Sequence, residues 1–260
     1  MPLMQCNGVN INVRSWGEGA PVLFVHGLGM SSDLWDNQLR PFSSKYRMHA
    51  VDLRGFGRSD KPNTPGCYSI ELLTQDIAAV VQGLGGEPVH FVGTSMGGYI
   101  GVQLAITAPE LCRSLSLCHT GYRASISEEV LSSRMSVLQT QTMEEYAPLV
   151  TTQALAQPAD PVNTEWLLEH LARNDHRAYS QVLGESLRGF DASTEVGRID
   201  LPTLVIVGGE DRVIPPQAGR DLAAKIPGAK LVEIAAVGHI SYMERPDEFN
   251  RPILDFIASN

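Results

Sequence analysis

Apolar residues recur along this chain with two periods, and where the period changes the chain changes character. Residues 8 to 16 (GVNINVRSW) alternate, and Gly17-Glu18-Gly19 then turns the chain into the unbroken apolar run Pro21 to Val25. Such a run suits a strand covered on both faces, so the two stretches predict an edge hairpin feeding a central strand. Similar runs predict strands at Tyr46 to Val51, Val89 to Val92, Leu111 to Cys118, Thr203 to Val207 and Lys230 to Ile234. Helical spacing fills the gaps at about 33–44, from an N-cap at Ser69 to near Leu84, from Met96 onward, and at 216–226 and 246–258. From about 121 to 198 the strand rhythm stops. Only helical patterns are found there, around 127–139, 143–153, 163–173 and 175–187, punctuated by Pro148, Pro158 and Pro161. The expectation is an α/β core made of residues 1–120 and 199–260, with a mostly parallel, eight-stranded sheet and helices on both faces. A helical lid, 121–198, is inserted after the sixth strand.

Composition narrows the function classes. The 260 residues include 20 Lys plus Arg against 29 Asp plus Glu, a net charge of −9, with no basic run. That argues against nucleic acid as a partner. No window approaches eighteen apolar residues, so no membrane span is expected. Cys6, Cys67, Cys112 and Cys118 lack CxxC spacing and the N-terminus lacks a signal-peptide pattern, which predicts free thiols in a reducing cytoplasm. Oligomeric state leaves no mark in the sequence.

The candidate chemistry centres on Gly93-Thr94-Ser95-Met96-Gly97, between a strand and a helix with almost no linker. A serine at the middle of so sharp a turn is held in a strained conformation, and glycines two residues either side avoid collisions with the neighbouring elements. Its hydroxyl is then lifted above the sheet at a helix N-terminus, where negative charge is favoured. A serine nucleophile needs a histidine base and a carboxylate to orient that base. In an open α/β sheet both must lie beyond the carboxyl ends of strands. His49 and His90 sit inside strands, and His170 and His176 in the lid. Of the remaining His26, His119 and His239, the last occupies a loop after the final strand and is the favoured base. Asp211, beyond the strand at 203–207, is the favoured acid, with Glu210 the alternative. Backbone N–H groups of Leu28, in His26-Gly27-Leu28-Gly29, and of Met96 are placed to receive an oxyanion. Gly27-x-Gly29-x-x-Ser32 lacks the third glycine of a dinucleotide loop, so neither a cofactor nor a metal is expected.

HGLG at 26–29, DLRGFGRSD at 52–60, GTSMGG at 93–98, GGEDRVIPP at 208–216 and GHISYMERPDEF at 238–249 together resemble the α/β-hydrolase family. Within it, the helix after Ser69, the SMGGYIGVQLA unit and the LSLCHTG strand end look most like 3-oxoadipate enol-lactonases and related small carboxylesterases. The resemblance implies a Ser95-Asp211-His239 triad working through an acyl-enzyme on a small ester or lactone, and a bracing role for Asp52 and Arg54. It fades in the lid. There Arg123 is the candidate for an anionic lactone, and Met135, Trp166, Leu138 and Met143 are candidates for an apolar acyl pocket; His26, in the core, is a further substrate-pocket candidate. Rival readings keep the triad for cleavage of a carbon–carbon bond in a vinylogous diketone or for perhydrolysis. A small-molecule receptor on a hydrolase scaffold is the reading from another class.

Overall fold

Residues 3–124 and 126–260 are described by a computed structural model of the chain. The chain opens with a two-stranded ribbon, β1 (Met4–Cys6) against β2 (Val9–Ile11), closed by Asn7 and Gly8 at φ 46° and 80°. Two consecutive left-handed residues give the mirror-image turn whose twist matches antiparallel strands, and Asn-Gly adopts it at little cost. β3 (Val13–Trp16) then enters the main sheet, antiparallel to β5 (Arg47–Val51).

The remaining strands are β4 (Pro21–Val25), β6 (Val89–Thr94), β7 (Cys112–Cys118), β8 (Thr203–Gly208) and β9 (Lys230–Ile234), all parallel, in the order β3-β5-β4-β6-β7-β8-β9. The sheet thus has seven strands and not eight. Residues 9–11, expected in it, pair with β1 in the separate ribbon instead. In consequence the helical segment follows the fifth strand of the main sheet, not the sixth.

From β4 the chain moves outward to β5 and then returns to β6 on the other flank of β4. The connections leaving β4 and β6 therefore diverge, and a crevice opens at the carboxyl ends of these two strands. Phe24 of β4 anchors the core below it, with ring centroids 5.0 Å from Trp35 and 4.9 Å from Phe42. α1 (Asp36–Ser43), α2 (Ile70–Gly83) and α3 (Met96–Thr107) cover the first half of the sheet. Ser69 caps α2 by accepting from Leu72 N–H at 3.3 Å. Arg54 and Asp76 form a buried two-point ion pair at 2.5 and 2.7 Å that pins the β5 loop to α2. Removing one partner of such a pair costs about 3–5 kcal/mol.

Between β7 and β8 lie α4 (Glu128–Leu138), α5 (Met143–Ala154), α6 (Pro161–Ala172) and α7 (His176–Ser186). The caps are encoded locally: Thr142 and Glu145 form a reciprocal capping box, and Asp160 and Asp175 accept from the first turns of α6 and α7. α8 (Pro216–Lys225), α9 (Ser241–Glu244) and α10 (Pro246–Ala258) complete the chain. Among the described residues no helix is long and apolar enough to cross a membrane, and the four cysteines are unpaired and buried.

Candidate active site

Ser95 stands between β6 and α3 at φ 56°, ψ −121°. A non-glycine residue held there stores roughly 1–3 kcal/mol, which the surroundings must enforce. They do so from three sides. Ser95 N–H donates to the Cys118 carbonyl of β7 at 2.9 Å, and the Ser95 carbonyl accepts from the Thr120 hydroxyl at 2.9 Å and Gly98 N–H at 2.8 Å. A Cβ on Gly93 would run into the Gly97 carbonyl, and one on Gly97 into the Val25 carbonyl of β4, so only glycines permit this close passage.

Asp211 lies just past β8 and is 5% exposed. Its Oδ1 accepts from Val213 and Ile214 N–H at 2.8 and 2.9 Å, and its Oδ2 lies 2.8 Å from His239 Nδ1. Burial opposes its ionisation, but attraction to the adjacent His239 and His119 rings and the hydrogen bond from His239 outweigh burial and hold the carboxyl well below the usual range. The neighbouring Glu210 is exposed. With Nδ1 committed to Asp211, Nε2 is the His239 nitrogen left for the cavity.

Ser95, Met96, Leu28 and His239 line one cavity of about 400 Å³ at the carboxyl ends of β4 and β6. Met96 is the first residue of α3, so its N–H has no preceding helical turn to donate to. Val130 of α4, Val150 of α5, Leu167 of α6 and Tyr179 of α7 enclose the cavity from the helical segment.

Six residues expected at the pocket are absent from its lining. His26 is buried behind it, where Nδ1 lies 2.7 Å from the Gly27 carbonyl and Nε2 accepts from Leu53 N–H at 3.0 Å. Burial pushes its imidazole down to about 4. Arg123 is exposed, in a bridge to Asp191, with its guanidinium 5.6 Å from the Tyr122 ring. Met135 packs beside Gly184 of α7, and Trp166 stacks on His170 with centroids 4.6 Å apart. Leu138 and Met143 belong to the core. Met135 and Trp166 share a cause: α4 and α6 turn other faces, with Val130 and Leu167, to the cavity.

The cavity's arginines are instead Arg134 and Arg212, and among the described residues no aspartate or glutamate joins them in its lining. Arg134 shares a face of α4 with Val130 and follows the N-cap Ser127, spacings of four and seven that could have singled it out. It donates to Gln153 Oε1 at 2.6 Å. Arg212 donates to the Thr152 and Leu155 carbonyls at 2.7 and 2.6 Å. Glu244 adds a second tie, accepting from Ala156 and Gly238 N–H, each at 2.8 Å, while His239 N–H donates to the Ala154 carbonyl at 2.7 Å. The end of α5 is therefore fastened to the loops carrying Asp211 and His239.

Beyond β7, His119 adopts φ 49°, with Nδ1 3.4 Å from Asp211 Oδ2 and Nε2 2.7 Å from Ser241 Oγ. His119, Asp211 and His239 have donor atoms within 4.8 Å of one another, a composition able to hold a metal. Both Nδ1 atoms turn to one carboxylate oxygen, however, and two backbone N–H groups fill the other, so the set is organised around the anion itself.

The model of the alpha/beta hydrolase fold family matches residues 20–246. A protein of Stutzerimonas stutzeri, provisionally named carbamate hydrolase RutD, is 31% identical over 254 residues, 92% of each chain. One of Mycobacterium tuberculosis, provisionally named non-heme bromoperoxidase BpoC, is 29% identical over 96% of this chain and 98% of its own. The crystal structure of the enol-lactonase from Burkholderia xenovorans superposes with a TM-score of 0.92 at 31% identity, covering 99% of this chain and all of that one.

Proposed function

The chain belongs to the α/β-hydrolase family, and from that premise we propose that it is a serine hydrolase of small carboxylic esters or lactones. What carries this reading is one juxtaposition: Ser95, strained at a strand-to-helix turn, shares a cavity with His239, whose other ring nitrogen lies 2.8 Å from Asp211. His239 Nε2 takes the proton as Ser95 Oγ attacks the carbonyl carbon. The Leu28 and Met96 N–H groups receive the oxyanion, and losing one such donor typically costs about 100-fold to 1000-fold in turnover. The imidazolium then returns its proton to the leaving alkoxide, and water repeats the sequence on the acyl-enzyme. Within this class an acid-free cavity holding two arginines, in a chain of net charge −9, favours an acyl group that carries its own negative charge. Four unpaired thiols suit work in a reducing cytoplasm.

The relatives' names spread over carbamate, lactone and peroxide chemistry, so the scissile bond is set by assay. Turnover of p-nitrophenyl acetate, set beside a panel of lactones, carbamates and vinylogous diketones, identifies the bond cleaved. Ser95→Ala and His239→Ala should each remove several orders of magnitude, and the double variant little more, because such residues act as a unit. Binding of these compounds without turnover would instead favour a receptor.

A further inference from the structure

Asp211 has two histidine partners, and the reaction just described uses one. His119 is 1% exposed, and its ring is wedged between the ring of His239, 5.6 Å away, and that of Tyr242, 6.3 Å away. The groups facing it are Asp211 from the loop after β8 and His239, Ser241 and Tyr242 from the segment after β9. Its tautomer follows from these contacts. A bare Nδ1 would turn a lone pair toward the Asp211 carboxylate at 3.4 Å, whereas an N–H there is attracted to it. Nε2 is then the acceptor and takes the Ser241 hydroxyl proton at 2.7 Å. At 3.4 Å the Nδ1–H contact exceeds a good hydrogen bond in length and acts mainly as a dipole on the anion.

We propose that His119 is a positioning residue of this site: a neutral dipole, set by Ser241, that draws charge from Asp211 Oδ2 and thereby limits how strongly the carboxylate holds a proton on His239. The proposal rests on the assignment of Asp211 and His239 as acid and base. Neutrality matters, because a charged His119 would stand beside the imidazolium formed in each turnover. Burial keeps it neutral by lowering its proton affinity, against the opposing pull of Asp211. The site thus gains a polarising N–H without a second positive charge, and His239 stays free to act as a base at lower pH than it would beside Asp211 alone.

The test reads His239 directly, by nitrogen-15 NMR titration of the histidine rings, alongside the pH profile of kcat/KM for p-nitrophenyl acetate. His119→Leu keeps bulk but removes the donor. The His239 midpoint and the acid limb should rise together by about 0.5 to 1 pH unit, a loss of about threefold to tenfold in kcat/KM below the midpoint. His119→Asn, whose amide places an N–H near the position of Nδ1, should restore the wild-type midpoint. Ser241→Ala should give a smaller shift of the same sign. An unchanged or lowered midpoint in folded His119→Leu overturns the proposal, as does an Asn variant that shifts as far as Leu. Should the Leu variant fail to fold, a Ser241→Ala midpoint identical to wild type overturns it instead. If no ester is turned over, the substrate reading falls while the NMR midpoint still decides the role of His119.

Discussion

Glu244 offers the sharpest link between the helical segment and the chemistry. Its carboxylate accepts from Ala156 N–H, at the end of α5, and from Gly238 N–H, the residue before His239, each at 2.8 Å. Glu244→Ala strands both donors in a half-buried setting, at about 1–2 kcal/mol each, or roughly 2–4 kcal/mol together. For a chain of this size that lowers the unfolding temperature by about 5–10 °C. Activity should fall too, because the clamp is part of what holds the His239 loop against Ala154. A displacement of about 1 Å in a reacting group costs up to 100-fold, so kcat should drop about 10-fold to 100-fold with KM little changed. Glu244→Gln keeps one acceptor and should show about half of each effect. The measurements are thermal unfolding and steady-state kinetics on p-nitrophenyl acetate. Glu244→Ala with an unfolding temperature within about 2 °C of wild type and kcat within about twofold would refute the idea that this clamp positions the base.

Three further outcomes are expected. Burial pushes His26, His49 and His90 each down to about 4, so the unfolded chain takes up their protons first as pH falls below 6.5. Stability present above 6.5 is therefore lost toward pH 4, with about 3 kcal/mol from the fully buried His26 alone, and an unfolding temperature flat between pH 6.5 and 4.5 would contradict this. Arg134→Gln should raise KM about tenfold for esters whose acyl chain ends in a carboxylate, leaving neutral esters unchanged; equal effects on both would remove Arg134 from substrate recognition. Val150→Ala should shift preference toward longer acyl chains by roughly 1–3 kcal/mol per methylene, whereas Trp166→Ala, which removes packing outside the cavity lining, should not, as kcat/KM across a p-nitrophenyl ester series will report.

Residues whose positions follow from strand ends and local turn chemistry were legible in the sequence. Ser95 is marked by its glycines, and Asp211 and His239 by following the last two strands. The four helices of the 121–198 segment were legible too, since their caps, Ser127, Thr142, Asp160 and Asp175, are local. Their rotation was not. α4 and α6 carry apolar residues on more than one face, so periodicity alone could not separate Val130 and Leu167, which face the cavity, from Met135 and Trp166, which do not. Arg123 was misplaced for a related reason: its bridge to Asp191 joins residues 68 positions apart. Contacts that tie the helical segment to the core also join residues far apart in the chain, Ala156 to Glu244 across 88 positions and Arg212 to Thr152 across 60. The eighth strand was misassigned although Asn7-Gly8 signalled it, because alternation from Gly8 onward was read without the strand before the turn.

The central claim is that Ser95 is an activated nucleophile, and covalent labelling tests it most directly. The protein is treated with a fluorophosphonate and digested, and the modified peptide is located by mass spectrometry. One adduct is expected, on the peptide carrying Ser95, lost entirely in Ser95→Ala and formed far more slowly in His239→Ala, with both variants folded. An adduct that persists in Ser95→Ala, or wild-type protein that stays unlabelled, would contradict it.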